Sequence, residues 1–523
     1  MKKRCAAVFG RRPLCGCLAL AAAGAAAQTA GAPASVVIDP PSSGVGQSYY
    51  ITPTLRTTLE LTDNVNLSAT NKQSDLILAV TPGVRLGGQS GRVKGFLDFG
   101  LTASLSASGD SSTRWFSALN GSMTAELVPS RVFVDASATI SQQFINPFGA
   151  LAPDQSLNNS NSTQVTTITV APRINGQIAG QVNYAGRAFY NYVNSGTSQA
   201  SNSTVWGGLL SLDASTRWSK LYWGLDISYR EASFSNGRRD EFDQLNIFSL
   251  TYVVTPTFRV SARGNVETSN LASLDNQTTT GWGWGLRWNP SPRTNLVLQQ
   301  DQRFFGSSYL ASFDYRTPRT VWSISSVQGL SNGQFNGGRG FSGSAFDLLF
   351  AAFAQIEPDP IARAQLVYSF LEANGIDPNA SLNTGYLPSQ VTKERADNAS
   401  VALRGIRSTV IVNVYQTFRQ GVFVASLNPD QDFSNGNVIH WVGAGVTWSH
   451  RLTQRSSVTA NLNYGQTSES LGPRDTNMWL ARAIWNYQVA ERATFSLAAR
   501  RIVQSGTTEY TVNSLLATLF INF

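Results

Sequence analysis

The chain has 523 residues, a formal net charge of +8 and two histidines. Its cysteines (Cys5, Cys15 and Cys17) all fall near the start. A mature chain without that segment therefore has no disulfide, thiol nucleophile or cysteine metal site. Five basic residues leave with the same segment, so the mature charge is about +3, too small to mark a nucleic-acid surface.

Residues 1–27 read as a signal peptide. Lys2, Lys3, Arg4, Arg11 and Arg12 form a basic head, residues 14–27 are apolar and small, and Ala25-Ala26-Ala27 supplies the cleavage pattern before Gln28. Residues 28–47 are rich in Ala, Pro and Ser and read as a flexible lead-in. No later apolar run is long enough to cross a bilayer as a helix.

From Ser48 onward the pattern changes to alternation, in segments of the length that a tilted membrane strand needs. Val93, Gly95, Leu97, Phe99, Leu101, Ala103 and Leu105 alternate with Lys94, Asp98, Thr102, Ser104 and Ser106. Val132 to Ile140, Leu221 to Tyr229 and Val458 to Tyr464 repeat the pattern. The connections alternate as well. Tight ones, such as Val128-Pro129-Ser130-Arg131 and Arg316-Thr317-Pro318-Arg319, are followed by longer polar ones at 144–162, 195–203, 420–437 and 468–475. Short turns on one side and long loops on the other are the design of an outer-membrane barrel. The spacing predicts an all-β fold over 48–523, a transmembrane antiparallel up-and-down barrel of about twenty-two strands, with both ends on the short-turn side.

One stretch departs from the period. Across an insert at 331–395, Phe346, Leu349, Phe350 and Phe353 have helical spacing, and Asp359-Pro360 opens a second helical pattern through Leu371. The expectation is a small helical insert in one long loop. Aromatic pairs such as Trp206 and Trp218, Trp282 and Trp288, Trp479 and Trp485, and Tyr184 and Tyr192 sit near strand ends, as interfacial girdles would.

The last strand reads Phe523, Ile521, Leu519, Ala517, Leu515 on one face, then Asn513, Thr511 and Glu509. With no residue after Phe523, this strand must pair at both edges or leave one open. A terminal strand ending in Phe resembles the closing strand of bacterial outer-membrane barrels. That resemblance implies that Phe523, Ile521 and Leu519 act as the signal read by the barrel-assembly machinery.

A block running Trp282-Gly283-Trp284-Gly285-Leu286-Arg287-Trp288-Asn289-Pro290-Ser291-Pro292-Arg293 is followed by Arg303-Phe304-Phe305-Gly306, Arg316-Thr317-Pro318-Arg319 and Glu357-Pro358-Asp359-Pro360. Together these resemble the PEP-CTERM-system-associated outer-membrane β-barrel family, found with exopolysaccharide and exosortase loci. The resemblance spans most of the mature chain and is sharpest over 282–375. It implies location in the outer membrane of a Gram-negative bacterium, contact with outer-membrane lipid, and work beside other export components. It carries over no catalytic residue.

The polar row holds the candidate site. Arg187, Arg217, Arg230, Arg259, Arg263, Arg287, Arg303, Arg404, Arg482 and Arg500 have inward parity, as do Arg85, Asp98, Glu126, Asp135, Asp213, Asp226, Glu267 and Asp301. These charges either pair with one another to stiffen the wall or bias a lumen toward anionic solutes such as an acidic polysaccharide. His440 and His450 share the apolar row, a poor place for a catalytic base. No enzyme activity, metal or cofactor is expected. The reading is a passage or docking platform for exported polymer. An embedded enzyme acting on envelope glycan or lipid, and a plugged scaffold, are the alternatives.

Overall fold

The computed structural model describes residues 48–523 apart from positions 90, 109–112, 153–155, 198–201, 236–238, 332–366, 368–390 and 423–436. Each alternating segment becomes a strand. In chain order these are β1 (Ser48–Thr62), β2 (Asp75–Gln89), β3 (Val93–Ser106), β4 (Arg114–Val128), β5 (Val132–Phe144), β6 (Ser162–Ile178), β7 (Val182–Ser195), β8 (Ser203–Ser215), β9 (Leu221–Phe234), β10 (Glu241–Thr255) and β11 (Phe258–Ser269). They continue as β12 (Gln277–Ser291), β13 (Thr294–Arg303), β14 (Gly306–Arg316), β15 (Thr320–Ser331), β16 (Thr392–Arg404), β17 (Ser408–Gly421), β18 (Val438–Arg451), β19 (Ser456–Glu469), β20 (Asp475–Ala490), β21 (Ala493–Gly506) and β22 (Tyr510–Asn522). Every neighbour is antiparallel, and β22 pairs back onto β1, so the 22-stranded sheet closes.

Closure satisfies the backbone of both terminal strands, which a bilayer demands because lipid offers no hydrogen-bond partner. The seam runs from Thr54 opposite Asn522 to Thr62 opposite Ser514. The Phe523 N–H donates to the Pro53 carbonyl at 3.0 Å. At the other end of the seam, Asn513 donates to Asp63 through its backbone and side-chain nitrogens, both at 2.7 Å. Inside, the Thr58 and Thr518 hydroxyls are 3.0 Å apart.

The short turns obey local chemistry. At the β6–β7 hairpin, Ala179 and Gly180 both have positive φ (51° and 69°), the backbone of a mirror-image two-residue turn, closed by Gln181 N–H on Ile178 O at 3.1 Å.

Period two sorts the side chains into two faces. Leu515, Leu519 and Phe523 are exposed on the outer face of β22, while Tyr510, Val512 and Ser514 are buried on the inner one. The girdle residues Trp206, Trp282, Trp288, Trp479 and Trp485 are exposed on the outer face, and Trp218 lies in the β8–β9 turn. His440 and His450 also face outward, His440 stacked on Phe418 with ring centroids 4.2 Å apart.

The predicted insert, 331–395, needs both boundaries corrected. Strand β15 runs through Ser331 and β16 begins at Thr392, so 331 and 392–395 belong to the wall and not to the connection. Four consecutive polar residues, Thr392 to Arg395, hide their alternation from a reading by period. The two helices expected in the insert lie outside the described residues, Val367 excepted.

Candidate functional site

Side chains can fill the interior of an eight-stranded barrel. Twenty-two strands enclose much more, so the lumen's chemistry is set by its wall and by whatever folds into it. The inner row is polar and charged, and its charges are tied into local networks. Arg303 is buried, donating from Nε to Glu267 at 3.0 Å, with a second bond to the same carboxylate and Asp243 3.9 Å away. The Arg263 Nε donates to Asp301 at 2.8 Å, and Arg419 to Glu394 at 2.8 Å. Asp135 accepts from Arg173 at 2.9 Å and from the Thr124 hydroxyl at 2.8 Å. Arg500 pairs with Glu60 across β22 and also donates to the Ser514 hydroxyl at 2.9 Å. Arg85 and Asp98 are 3.2 Å apart. Arg85 also shares the Phe520 ring with Arg56, their guanidinium carbons 5.5 and 5.4 Å from its centre. Burying these charges is tolerable because each carboxylate and guanidinium has a partner fixed by the strand register.

Superimposed on these networks is an arrangement that pairing alone does not require. Three couples of inward arginines stand directly opposite one another on adjacent strands: Arg173 and Arg187, Arg259 and Arg287, Arg482 and Arg500. Like charges in directly opposed positions repel. Guanidinium groups brought together in this way suit carboxylate or phosphate oxygens, and two of the six, Arg173 and Arg500, already hold Asp135 and Glu60.

Inward aromatics are laid against the wall. The Tyr415 ring covers Gly443, its cross-strand partner, where a Cβ would come within 2.3 Å of the ring. Tyr50 covers Gly87 in the same way. Glycine is required at both positions because any side chain would push the ring off the wall.

At the long-loop end, the β5–β6 connection turns into the barrel. Phe148, Leu151, Ala152 and Leu157 are buried against Ile439, Met478, Leu480, Ile502, Tyr510 and Val512, from the inner faces of β18, β20, β21 and β22. The loop thus passes β4 and β1, which it touches through Arg114 and Glu60, and its described residues lie against the inner wall of β18–β22 at that end. Hydrogen bonds hold it there. Gln504 accepts from Leu151 N–H at 3.0 Å and donates to Gly149 O at 2.8 Å. Thr508 donates to Phe148 O at 2.9 Å, Arg114 to Leu157 O at 3.0 Å, and Ser156 to Glu60 at 2.6 Å. Because Glu60 also holds Arg500, the loop is joined to the arginine wall.

Of the arginines selected from the sequence, Arg187, Arg230, Arg259, Arg263, Arg287, Arg303, Arg482 and Arg500 stand on inner rows. Arg217 does not. It is exposed in the β8–β9 turn, because β8 stops at Ser215 and parity has no meaning beyond it. Arg404 is the last residue of β16, opposite Thr409. Sequence reasoning missed Arg173, Arg419, Glu60 and Glu394 as wall charges, although their parity matches their neighbours'. It also took 144–162 for a plain polar loop. The available signal was three large apolar residues, Phe148, Leu151 and Leu157, inside an Asn-rich connection. Among the described residues no group of three His, Cys, Asp or Glu is placed to hold a metal ion.

No family model matches the chain, and no curated protein does. Solved structures do. The FrpB iron transporter from Neisseria meningitidis (F5-1 variant) aligns with a TM-score of 0.50 at 8% identity, over 90% of this chain and 82% of that one. The ferric-catecholate import receptor Fiu from E. coli K12, open form, gives 0.44 at 10% identity, over 90% and 81%. A mutant of the ferric enterobactin receptor PfeA from Pseudomonas aeruginosa gives 0.45 at 9%, over 90% and 80%. The chain is an outer-membrane β-barrel. Identities this low carry the fold and no ligand, and the closed wall with its apolar outer face places the protein in the outer membrane of a Gram-negative bacterium.

Proposed function

We propose that the barrel is a passage or docking platform for an anionic polymer, an exported acidic polysaccharide above all, working with other export components. The opposed arginine couples Arg173/Arg187 and Arg259/Arg287 carry this reading; Arg500, opposite Arg482, is buried against Glu60. Carboxylate or phosphate groups repeated along a polymer would meet paired guanidinium groups at several places on the wall. A chain of many weak contacts is held without being trapped, which suits transit. The sequence resemblance to an exopolysaccharide-associated family points the same way. The infolded β5–β6 loop favours a second reading, a scaffold whose mouth is closed.

Affinity electrophoresis of the detergent-purified barrel through gels containing polymer tests the proposal. Retardation is expected in an acidic polysaccharide and not in neutral dextran, and it should weaken with salt. Replacing both Arg259 and Arg287 by Ser should weaken binding by about tenfold, the order expected for losing charge-assisted bonds. Equal retardation by the neutral polymer, or no effect of the double variant, would contradict the proposal.

A further inference from the structure

The outer face is not apolar all the way round. On β22 the outward row runs Phe523, Ile521, Leu519, Ala517, Leu515 before turning polar, and β3 is apolar from Val93 to Leu105. On β15 only Trp322 and Ile324 precede Ser326 and Gln328. On β16, Leu403, Val401 and Ala399 give way to Asp397, Arg395 and Lys393. On β17, Val410, Val412 and Val414 give way to Gln416. The register shows how deep this polar patch reaches. Tyr309, Gln328, Arg395, Phe418 and His440 form one cross-strand row, the aromatic level on the long-loop side. The next outward row toward the short turns is Ala311, Ser326, Asp397, Gln416 and Val442. Asp397 therefore lies on the membrane side of the aromatics.

The patch is built and not incidental. The Asp397 carboxylate accepts from Gln416 Nε2 at 2.7 Å and from the Ser326 hydroxyl, and Arg395 Nε is 2.9 Å from it. The Arg395 side chain is 45% exposed. Directly above, Gln328, Lys393, Arg395, Phe418, Gln420 and Val438 line a cavity of about 240 Å³. An outward charge at this depth is costly against lipid tails. A protein surface can shield the half-exposed Arg395 from lipid and approach closely, and the small residues Ala311, Ser326 and Ala399 leave room for it.

We propose that this face of β15–β17 is the contact surface for a second copy of the same chain, arranged as a two-fold dimer in the membrane. The charge pattern selects that partner. A two-fold axis beside β16 sets Arg395 of one copy against Asp397 of the other, and each amide and hydroxyl of the patch meets a group that both donates and accepts. An isologous contact needs such a self-complementary surface.

Site-directed cross-linking in intact outer membranes tests this. No cysteine lies beyond position 17, so Ala399→Cys places one thiol on the patch and Ala188→Cys places one on the exposed outer face of β7. A short bismaleimide should convert the Ala399→Cys protein, and not the Ala188→Cys protein, to a species of twice the monomer mass. In the Ala399→Cys background, Arg395→Asp should lower dimer yield about tenfold, since it sets like charges together. The swap Arg395→Asp with Asp397→Arg should restore it. Heat-modifiable gel mobility confirms that each variant is a folded barrel. An Ala399→Cys adduct of some other mass, no adduct above the Ala188→Cys level, or a folded charge-swap protein that stays monomeric would overturn the proposal.

Discussion

Leu519→Arg should remove the protein from the outer membrane. Leu519 is the middle of the five outward residues from Leu515 to Phe523, so its side chain lies near the centre of the apolar band. Its cross-strand neighbours are Phe495 on one side and Thr57 on the other. A basic residue at mid-depth on a lipid face costs about 2–4 kcal/mol. Here the cost falls on the strand that closes the barrel, where nine residue pairs form the whole seam with β1. Ile521→Asp in the same background should deepen the defect, and deleting Phe523 should remove the bond to Pro53 O and slow assembly. The check is the fraction of protein in the outer membrane whose gel mobility changes on boiling. Wild-type levels of heat-modifiable Leu519→Arg protein would contradict the facing assigned to β22.

Removing the infolded loop should open the mouth without harming the wall. Phe148, Leu151 and Leu157 are each at most 2% exposed. Their burial holds the loop in place by about 2 kcal/mol per side chain. The strands they rest on are paired independently of the loop, so replacing 146–160 by a short Gly-Ser link should leave a heat-modifiable barrel. Single-channel conductance of that barrel is expected to rise by about twofold or more, as when a segment lying inside a water-filled pore is taken away. Phe148→Ser with Leu151→Ser should give an intermediate, noisier current. A correctly assembled deletion variant with unchanged conductance would mean that the loop does not restrict the lumen.

The strand order was legible because two local signals agree. Alternation gives each strand its faces, and short turns alternating with long loops give the direction of each reversal. What the sequence did not show is what depends on contacts between distant positions. Arg173 meets Asp135 diagonally across neighbouring strands joined by a long connection, and Glu60 meets Arg500 only after the barrel closes. The β5–β6 loop has no period to betray its burial, since Phe148, Leu151 and Leu157 take their places from the wall they meet. The outward patch on β16 was hidden for the opposite reason. Its residues are polar on both faces, so Lys393, Glu394 and Arg395 read as loop, although Glu394 faces in toward Arg419 and Arg395 faces out.

An arginine-lined lumen should select anions. Reversal potential across a planar bilayer, with a salt gradient between the two sides, measures that selectivity directly. The wild-type barrel and the barrel lacking 146–160 should both reverse at the sign set by anion flow, and Arg259→Ser with Arg287→Ser should move the value toward zero. Reversal at the cation sign, or no current even from the barrel without its infolded loop, would contradict it.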